Sequence, residues 1–125
     1  MATVDLTKEN FETKVVESDI AIIDFWAPWC GPCKAFAPTY EEVSNAHPDI
    51  LFAKVNTEEE QELGGHFNIR SIPTLMVIRE NIVLFSQAGA LPKSGLEEIV
   101  KQVKAVDMEE VRAAVAKEQA EIEQS

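Results

Sequence analysis

The chain has 125 residues, and 22 Asp and Glu against 11 Lys and Arg leave a formal net charge of −11. A chain of this length forms one domain that buries roughly two thirds of its unfolded surface, and its 46% hydrophobic content is that of a folded protein. The acidity argues against nucleic-acid backbones and anionic membrane surfaces as partners, while two cysteines in all, Cys30 and Cys33, cannot build a secreted disulfide framework or an iron–sulfur site.

The first ten residues have neither a basic start nor an apolar stretch, which predicts a cytoplasmic protein. Thr7 is placed to cap a helix with apolar positions Phe11, Val15 and Val16. Ile20 to Trp26 is apolar on both parities, as a central strand covered on both faces would be. With Asp24 inside it, the run to Trp29 is far short of the roughly 20 residues of a membrane helix. Cys30-Gly31-Pro32-Cys33 follows, then a helix to about Ala46 with Phe36, Tyr40 and Val43 on one side and Pro38 predicted to kink it.

Ile50 to Asn56 reads as a second apolar strand. Glu58 to Phe67 is weakly helical, because Gly64-Gly65 costs about 1 kcal/mol per glycine against Ala. Thr74 to Arg79 and Ile82 to Gln87 form a hairpin through Glu80-Asn81, with Asn tolerating positive φ. Ser94-Gly95-Leu96-Glu97 has the form of a capping box. It opens a helix with a stripe of Leu96, Ile99, Val100 and Val103. The order strand, helix, strand, helix, strand, helix, hairpin, helix predicts an α/β domain, a mixed sheet with helices on both faces.

Val106 to Ser125 differs in character. Asp107 and Glu110 are placed to cap a further helix with Met108, Val111, Val115 and Ile122 along one side, and its charged residues sum to −4, leaving −7 for residues 1–105. The segment reads either as a solvated helix or as one that docks on the domain or on a partner.

A Cys-x-x-Cys pair has three readings. Half of a zinc site is one, but the only histidines, His47 and His66, lack the His-x₃₋₅-His spacing. Two inert buried thiols are the second. The third is a dithiol/disulfide couple, since positions i and i+3 of a first helical turn can close a small ring. Gly31 then allows the tight entry and Pro32 sits where a missing N–H costs nothing. In that placement Cys30 faces the free N–H groups of the helix start, which stabilise a thiolate, and Cys33 is shielded one turn inside.

Phe25-Trp26-Ala27-Pro28-Trp29-Cys30-Gly31-Pro32-Cys33-Lys34 resembles the active-site signature of the thioredoxin family. The resemblance extends over residues 1 to about 104 through Asp24, Pro38, Ala53-Lys54-Val55-Asn56, Ile69-Arg70-Ser71-Ile72-Pro73-Thr74 and Gly89-Ala90-Leu91. It implies the thioredoxin fold over residues 1–105: a central mixed five-stranded sheet flanked by helices on both faces, followed by an acidic C-terminal helical extension over 106–125.

The resemblance also implies roles. Cys30 corresponds to the nucleophile and Cys33 to the resolving cysteine. Asp24 corresponds to the buried carboxylate proposed to accept the Cys33 proton. Burial would raise its pKa towards neutrality, though such a carboxylate could also simply satisfy backbone near a strand end. Lys54 corresponds to the lysine near that carboxylate, or else it snorkels to solvent. Pro73 corresponds to the cis-proline facing the disulfide, against an ordinary trans-proline opening a strand. Trp29, Gly31, Pro32, Ile72, Gly89 and Ala90 would line the client surface, with Ile72 pairing by strand addition, and Trp26 would support the site from beneath.

The activity implied is reduction of protein disulfides, with no bound cofactor beyond the Cys30–Cys33 couple and no metal. The partners implied are a flavin-containing, NADPH-dependent thioredoxin reductase and disulfide-bearing clients, met by a monomer. An oxidase or isomerase, and a binding module or co-chaperone subunit whose acidic tail docks a partner, are the alternatives. From Ala27 to Pro38 only Lys34 is charged, so the acidity belongs to the helices and the tail.

Overall fold

The computed structural model describes residues 2–124; Met1 and Ser125, the outermost residues of the predicted N-terminal segment and tail, lie outside them. The chain runs β1 (Thr3–Asp5), α1 (Phe11–Val16), β2 (Ile20–Trp26), α2 (Gly31–Ala46), β3 (Leu51–Asn56), α3 (Gln61–His66), β4 (Thr74–Arg79), β5 (Ile82–Ala88), α4 (Lys93–Ala105) and α5 (Met108–Gln124). The sheet order is β1-β3-β2-β4-β5. β1, β3 and β2 are parallel, while β4 is antiparallel to both β2 and β5.

β2 is therefore the middle strand, and its first six residues are all buried. Alternate side chains divide between two cores, as the period of two requires. Ile20 and Ile22 join Leu75, Val77 and Phe52 beneath the Phe36–Tyr40–Val43 stripe of α2 and the Leu96–Val103 stripe of α4. Ala21, Ile23 and Phe25 face the other way, with Val15, Ala53, Val55 and Met76. Each large side chain so enclosed stabilises the fold by about 1.5–3 kcal/mol. Tyr40 is fully buried, and its hydroxyl lies 2.8 Å from the Ile22 carbonyl and 2.7 Å from that of Ala53, sharing its one proton between β2 and β3.

Local chemistry differs from the sequence reading at several ends. Thr7 does not cap α1 with its side chain. Asn10 holds the N-cap position instead, and its Oδ1 accepts from the Thr7 N–H at 2.7 Å. Val16 is 58% exposed and leaves the apolar stripe. The predicted capping box is not formed: Pro92 is the N-cap of α4, Ser94 lies inside the helix, and Glu97 turns to His47 at 3.2 Å. α3 spans only six residues, as the glycine pair foretold. Glu80 and Asn81 both have positive φ (52° and 63°), which gives the two-residue turn a primed geometry without glycine.

α5 is a separate helix, because Val106 leaves α4 in an extended conformation (φ −63°, ψ 133°). Asp107 caps it as predicted, its Oδ1 accepting from the N–H groups of Glu109 at 3.1 Å and Glu110 at 3.3 Å. Met108 is buried, whereas Val115 and Ile122 are exposed. Arg112 reaches back to Glu80 at 2.6 Å. Among the described residues, no helix is long and apolar enough to cross a membrane.

Candidate active site

The site forms where β2 gives way to α2. Cys30 is the N-cap of α2 (φ −87°, ψ 110°), held by its own N–H, which donates to the Ala27 carbonyl at 3.1 Å. Cys30 and Cys33 are joined in a disulfide with their Cα atoms 5.2 Å apart. The Cys33 N–H donates to Cys30 Sγ at 3.2 Å, so that sulfur occupies the place of a capping oxygen. After reduction, a thiolate at this position would face the positive end of a 16-residue helix, which stabilises negative charge. Cys33 lies one turn inside, on the stripe that packs against the sheet.

Gly31 does not serve the tight entry expected of it. Its φ is not in the left-handed region, and a Cβ there would meet nothing within 4 Å. Its missing side chain leaves open space beside the disulfide. Pro32 sits in the first turn, where its missing N–H is no loss.

Ile72–Pro73 is a cis peptide bond. Cys30 Sγ lies 3.8 Å from the Ile72 carbonyl oxygen. The Thr74 hydroxyl donates to the Ser71 carbonyl at 2.6 Å, and the Gly89 N–H donates to the Pro73 carbonyl at 2.8 Å, which fixes this loop between β4 and the end of β5. Gly89 has φ 102°, a conformation that favours glycine. Trp29, beside the disulfide in sequence, is 69% exposed, and Ala90 is exposed next to Gly89.

Asp24 is fully buried, and neither carboxylate oxygen has a hydrogen-bond partner among the described residues. Burial therefore pushes its pKa up to about 7, against an opposing pull from Lys54. Lys54 is the register partner of Asp24 across β2 and β3. Its Nζ stands 4.6 Å from the centroid of the Trp26 ring. Trp26 also packs against the Ala27–Cys30–Cys33 cluster, which is the supporting place expected of it. Asp24 shares a sheet face with Ile20 and Ile22, the face covered by α2. Its charge also contributes to holding the Tyr40 hydroxyl well above its ordinary pKa, after burial as the main cause.

This disulfide at a helix start, with a buried carboxylate in the strand before it and a cis-proline loop against it, has close relatives. The family model described as thioredoxin matches residues 2–102. A putative thioredoxin 2 of Streptomyces coelicolor is 52% identical over 120 residues, covering 96% of this chain and 90% of that protein. The chain belongs to the thioredoxin family. A Bacillus subtilis thioredoxin is 40% identical over 103 residues, covering 82% of this chain and 98% of its own length. A solved structure of Plasmodium falciparum thioredoxin superposes with a TM-score of 0.74 at 33% identity, covering 79% of this chain and 97% of that one.

As a member of the thioredoxin family with a Cys30–Cys33 disulfide, the protein is a protein thiol–disulfide oxidoreductase. The structure brings Cys30, Cys33, Gly31, Pro32, Ile72 and Pro73 together at one end of the sheet. It sets Asp24 and Lys54 side by side in the strands beneath. Sequence reasoning passed over Arg70, Gln61 and the Gly64-Gly65 pair, which line a groove against Trp29 and Ile72. The signal was present in the glycine pair, which was read only as a weakness of the helix.

Proposed function

We propose that the protein is a general reductase of protein disulfides, with Cys30 as nucleophile and Cys33 as resolving thiol. The Cys30 thiolate attacks one sulfur of a client disulfide, forming a mixed disulfide and releasing the other client sulfur as a thiolate that takes up a proton. The Cys33 thiolate then attacks Cys30 Sγ, closing the Cys30–Cys33 bond and releasing the second client thiol. Two electrons and two protons pass to the client. The observation that carries this reading is the Cys33 N–H donated to Cys30 Sγ at the start of α2.

In this scheme Asp24 takes the proton from Cys33, at a pKa suited to exchange near neutrality, and Lys54 positions that carboxylate by its charge. Pro73 holds the Ile72 backbone beside the disulfide. Ile72 precedes the first paired residue of β4, Thr74, and so can meet an extended client segment by strand addition. Trp29, Gly31, Pro32, Gly89 and Ala90 complete the client surface. The couple is recharged by a flavin-containing, NADPH-dependent thioredoxin reductase, and the protein carries these electrons as a cytoplasmic monomer without a bound cofactor.

A Cys33→Ser variant is expected to accumulate mixed disulfides with clients through Cys30, while Cys30→Ser traps none and does not accelerate insulin reduction by dithiothreitol. Equal trapping by both variants would reverse the roles. We further assign residues 1–105 as the redox domain and 106–125 as an accessory extension. Truncation after Ala105 is expected to leave the insulin-reduction rate unchanged; a large loss of rate would assign the extension to the site.

A further inference from the structure

Tyr40 is the single tyrosine of the chain, and packing alone does not account for its hydroxyl. Its ring packs against those of Phe36 and Phe52, with centroids 5.7 and 5.5 Å away, and a phenylalanine would fill that space equally. The hydroxyl is buried with the ring and reaches the carbonyls of Ile22 at 2.8 Å and Ala53 at 2.7 Å. Ile22 stands two residues before Asp24 on the same face of β2, and Ala53 immediately precedes Lys54, the register partner of Asp24. The contribution of the Asp24 charge to the raised pKa of Tyr40 places the hydroxyl within the field of that carboxylate.

Cys33 and Tyr40 lie on one buried stripe of α2. Between them Pro38 interrupts the helix. It has no N–H to give to the Lys34 carbonyl, so the first turn, which carries the redox pair, is less firmly tied to the turns behind it. Tyr40 follows two residues later. The apolar contacts of Phe36 and Val43 hold α2 against the sheet without fixing a direction. The hydroxyl contacts are directional, and they engage both strands that carry the Asp24–Lys54 pair.

We propose that the Tyr40 hydroxyl is a positioning group for the second sulfur exchange: anchored on β2 and β3 just behind the Pro38 interruption, it holds α2, and with it Cys33, over Asp24 at the separation that proton transfer needs. In that step Cys33 gives its Sγ–H proton to the Asp24 carboxylate, which becomes a carboxylic acid. The thiolate attacks Cys30 Sγ, the Cys30–client bond breaks, and the client sulfur leaves with the electron pair. Tyr40 itself exchanges no proton. The inference deepens the reductase reading and rests on it.

The test is a stopped-flow reaction of the reduced full chain with excess dithiobis(nitrobenzoate), followed by the absorbance of the released thionitrobenzoate. Attack by Cys30 releases the first equivalent at a rate that grows with reagent concentration. Attack by Cys33 on the mixed disulfide releases the second at a rate that does not. Tyr40→Phe is expected to leave the first phase within about twofold of wild type and to slow the second about tenfold, since a misplacement of about 1 Å can cost roughly 100-fold. Water admitted beneath the loosened helix eases the burial of Asp24, so the pH midpoint of the second phase is expected to fall by more than about half a unit. In an Asp24→Asn background, Tyr40→Phe is expected to change the second phase by less than about twofold, because the positioned partner is gone. Val43→Ala, on the same stripe, is expected to lower Tm without moving the second phase or its midpoint. A second phase and midpoint unchanged in Tyr40→Phe, or moved equally by Val43→Ala, would overturn the proposal and leave the exchange reaction standing. Failure of the wild-type protein to release the second equivalent would instead overturn the reading of Cys33 as resolving thiol.

Discussion

The two ends of the sheet differ in how far their polar groups are paired. At the hairpin end, Arg79 donates from Nη1 to the carbonyls of Val103 at 2.8 Å and Val106 at 3.2 Å, tying the end of α4 to β4. Glu80 accepts from Arg112, and Asp49 accepts from Lys104 at 2.9 Å. At the disulfide end, both oxygens of Asp24 and the Trp26 Nε1 are buried without hydrogen-bond partners among the described residues, and Trp29 is exposed. A fold built only for stability would satisfy both ends alike, because a buried unpaired polar group costs about 1–3 kcal/mol. Three of the five buried side-chain atoms without a hydrogen-bond partner among the described residues lie at the disulfide end, in Asp24 and Trp26; the other two are Glu41 Oε1 and Arg79 Nε.

Removing the unmatched carboxylate should have the largest effect on stability. The folded pKa of Asp24 is about 7, against about 3.9 for an unfolded aspartate. The folded state therefore holds its proton more tightly. The stability this gives is full below about pH 4 and is lost as pH rises through about 7, a loss of about 4 kcal/mol. Asp24→Asn is expected to be more stable than the wild type by about that amount at pH 8, with the gain fading towards pH 4 in urea titrations, and to slow insulin reduction. A gain independent of pH would show that charge burial is not its cause.

At the hairpin end the sign reverses. Arg79→Ala leaves the Val103 and Val106 carbonyls without their donor and is expected to cost about 2 kcal/mol, read from the urea midpoint at constant slope. The smallest effect is expected at Arg112. Its bond to Glu80 joins half-exposed side chains, and Arg112→Ala should change stability by less than about 1 kcal/mol. If Arg112→Ala cost as much as Arg79→Ala, the turn and α5 would be far more tightly coupled than a screened surface pair allows.

What could be read in the sequence follows from how local each signal is. β2 and β4 were legible to the residue because their apolar runs have sharp polar or turn boundaries, at Asp19 and Pro73. The Cys30–Cys33 pair and the cis bond at Pro73 were legible because each rests on a short run of chain. The cap at Asp107 was read correctly from its own turn, whereas Ser94 failed because Pro92, two residues earlier, already starts the helix. The bonds from Arg79 to α4 lie 24 and 27 residues away in sequence and depend on docking that no local pattern encodes. The groove at Arg70 was hidden for the same reason: its walls come from the segments that follow β2 and β3, from α3 and from the loop before β4.

The sheet order carries a consequence for the chain as it is being made. β2 lies between β3 and β4, and its register pairs Asp24 with both Lys54 and Leu75. During synthesis both cysteines emerge well before β4, the strand that flanks β2 on the far side. Until the loop that ends at Pro73 has left the ribosome, Ile72 does not pack against the dithiol as it does in the folded protein. Pairings this distant in sequence form late, so a nascent chain exposes its own thiols to the disulfide chemistry that the finished protein directs at others.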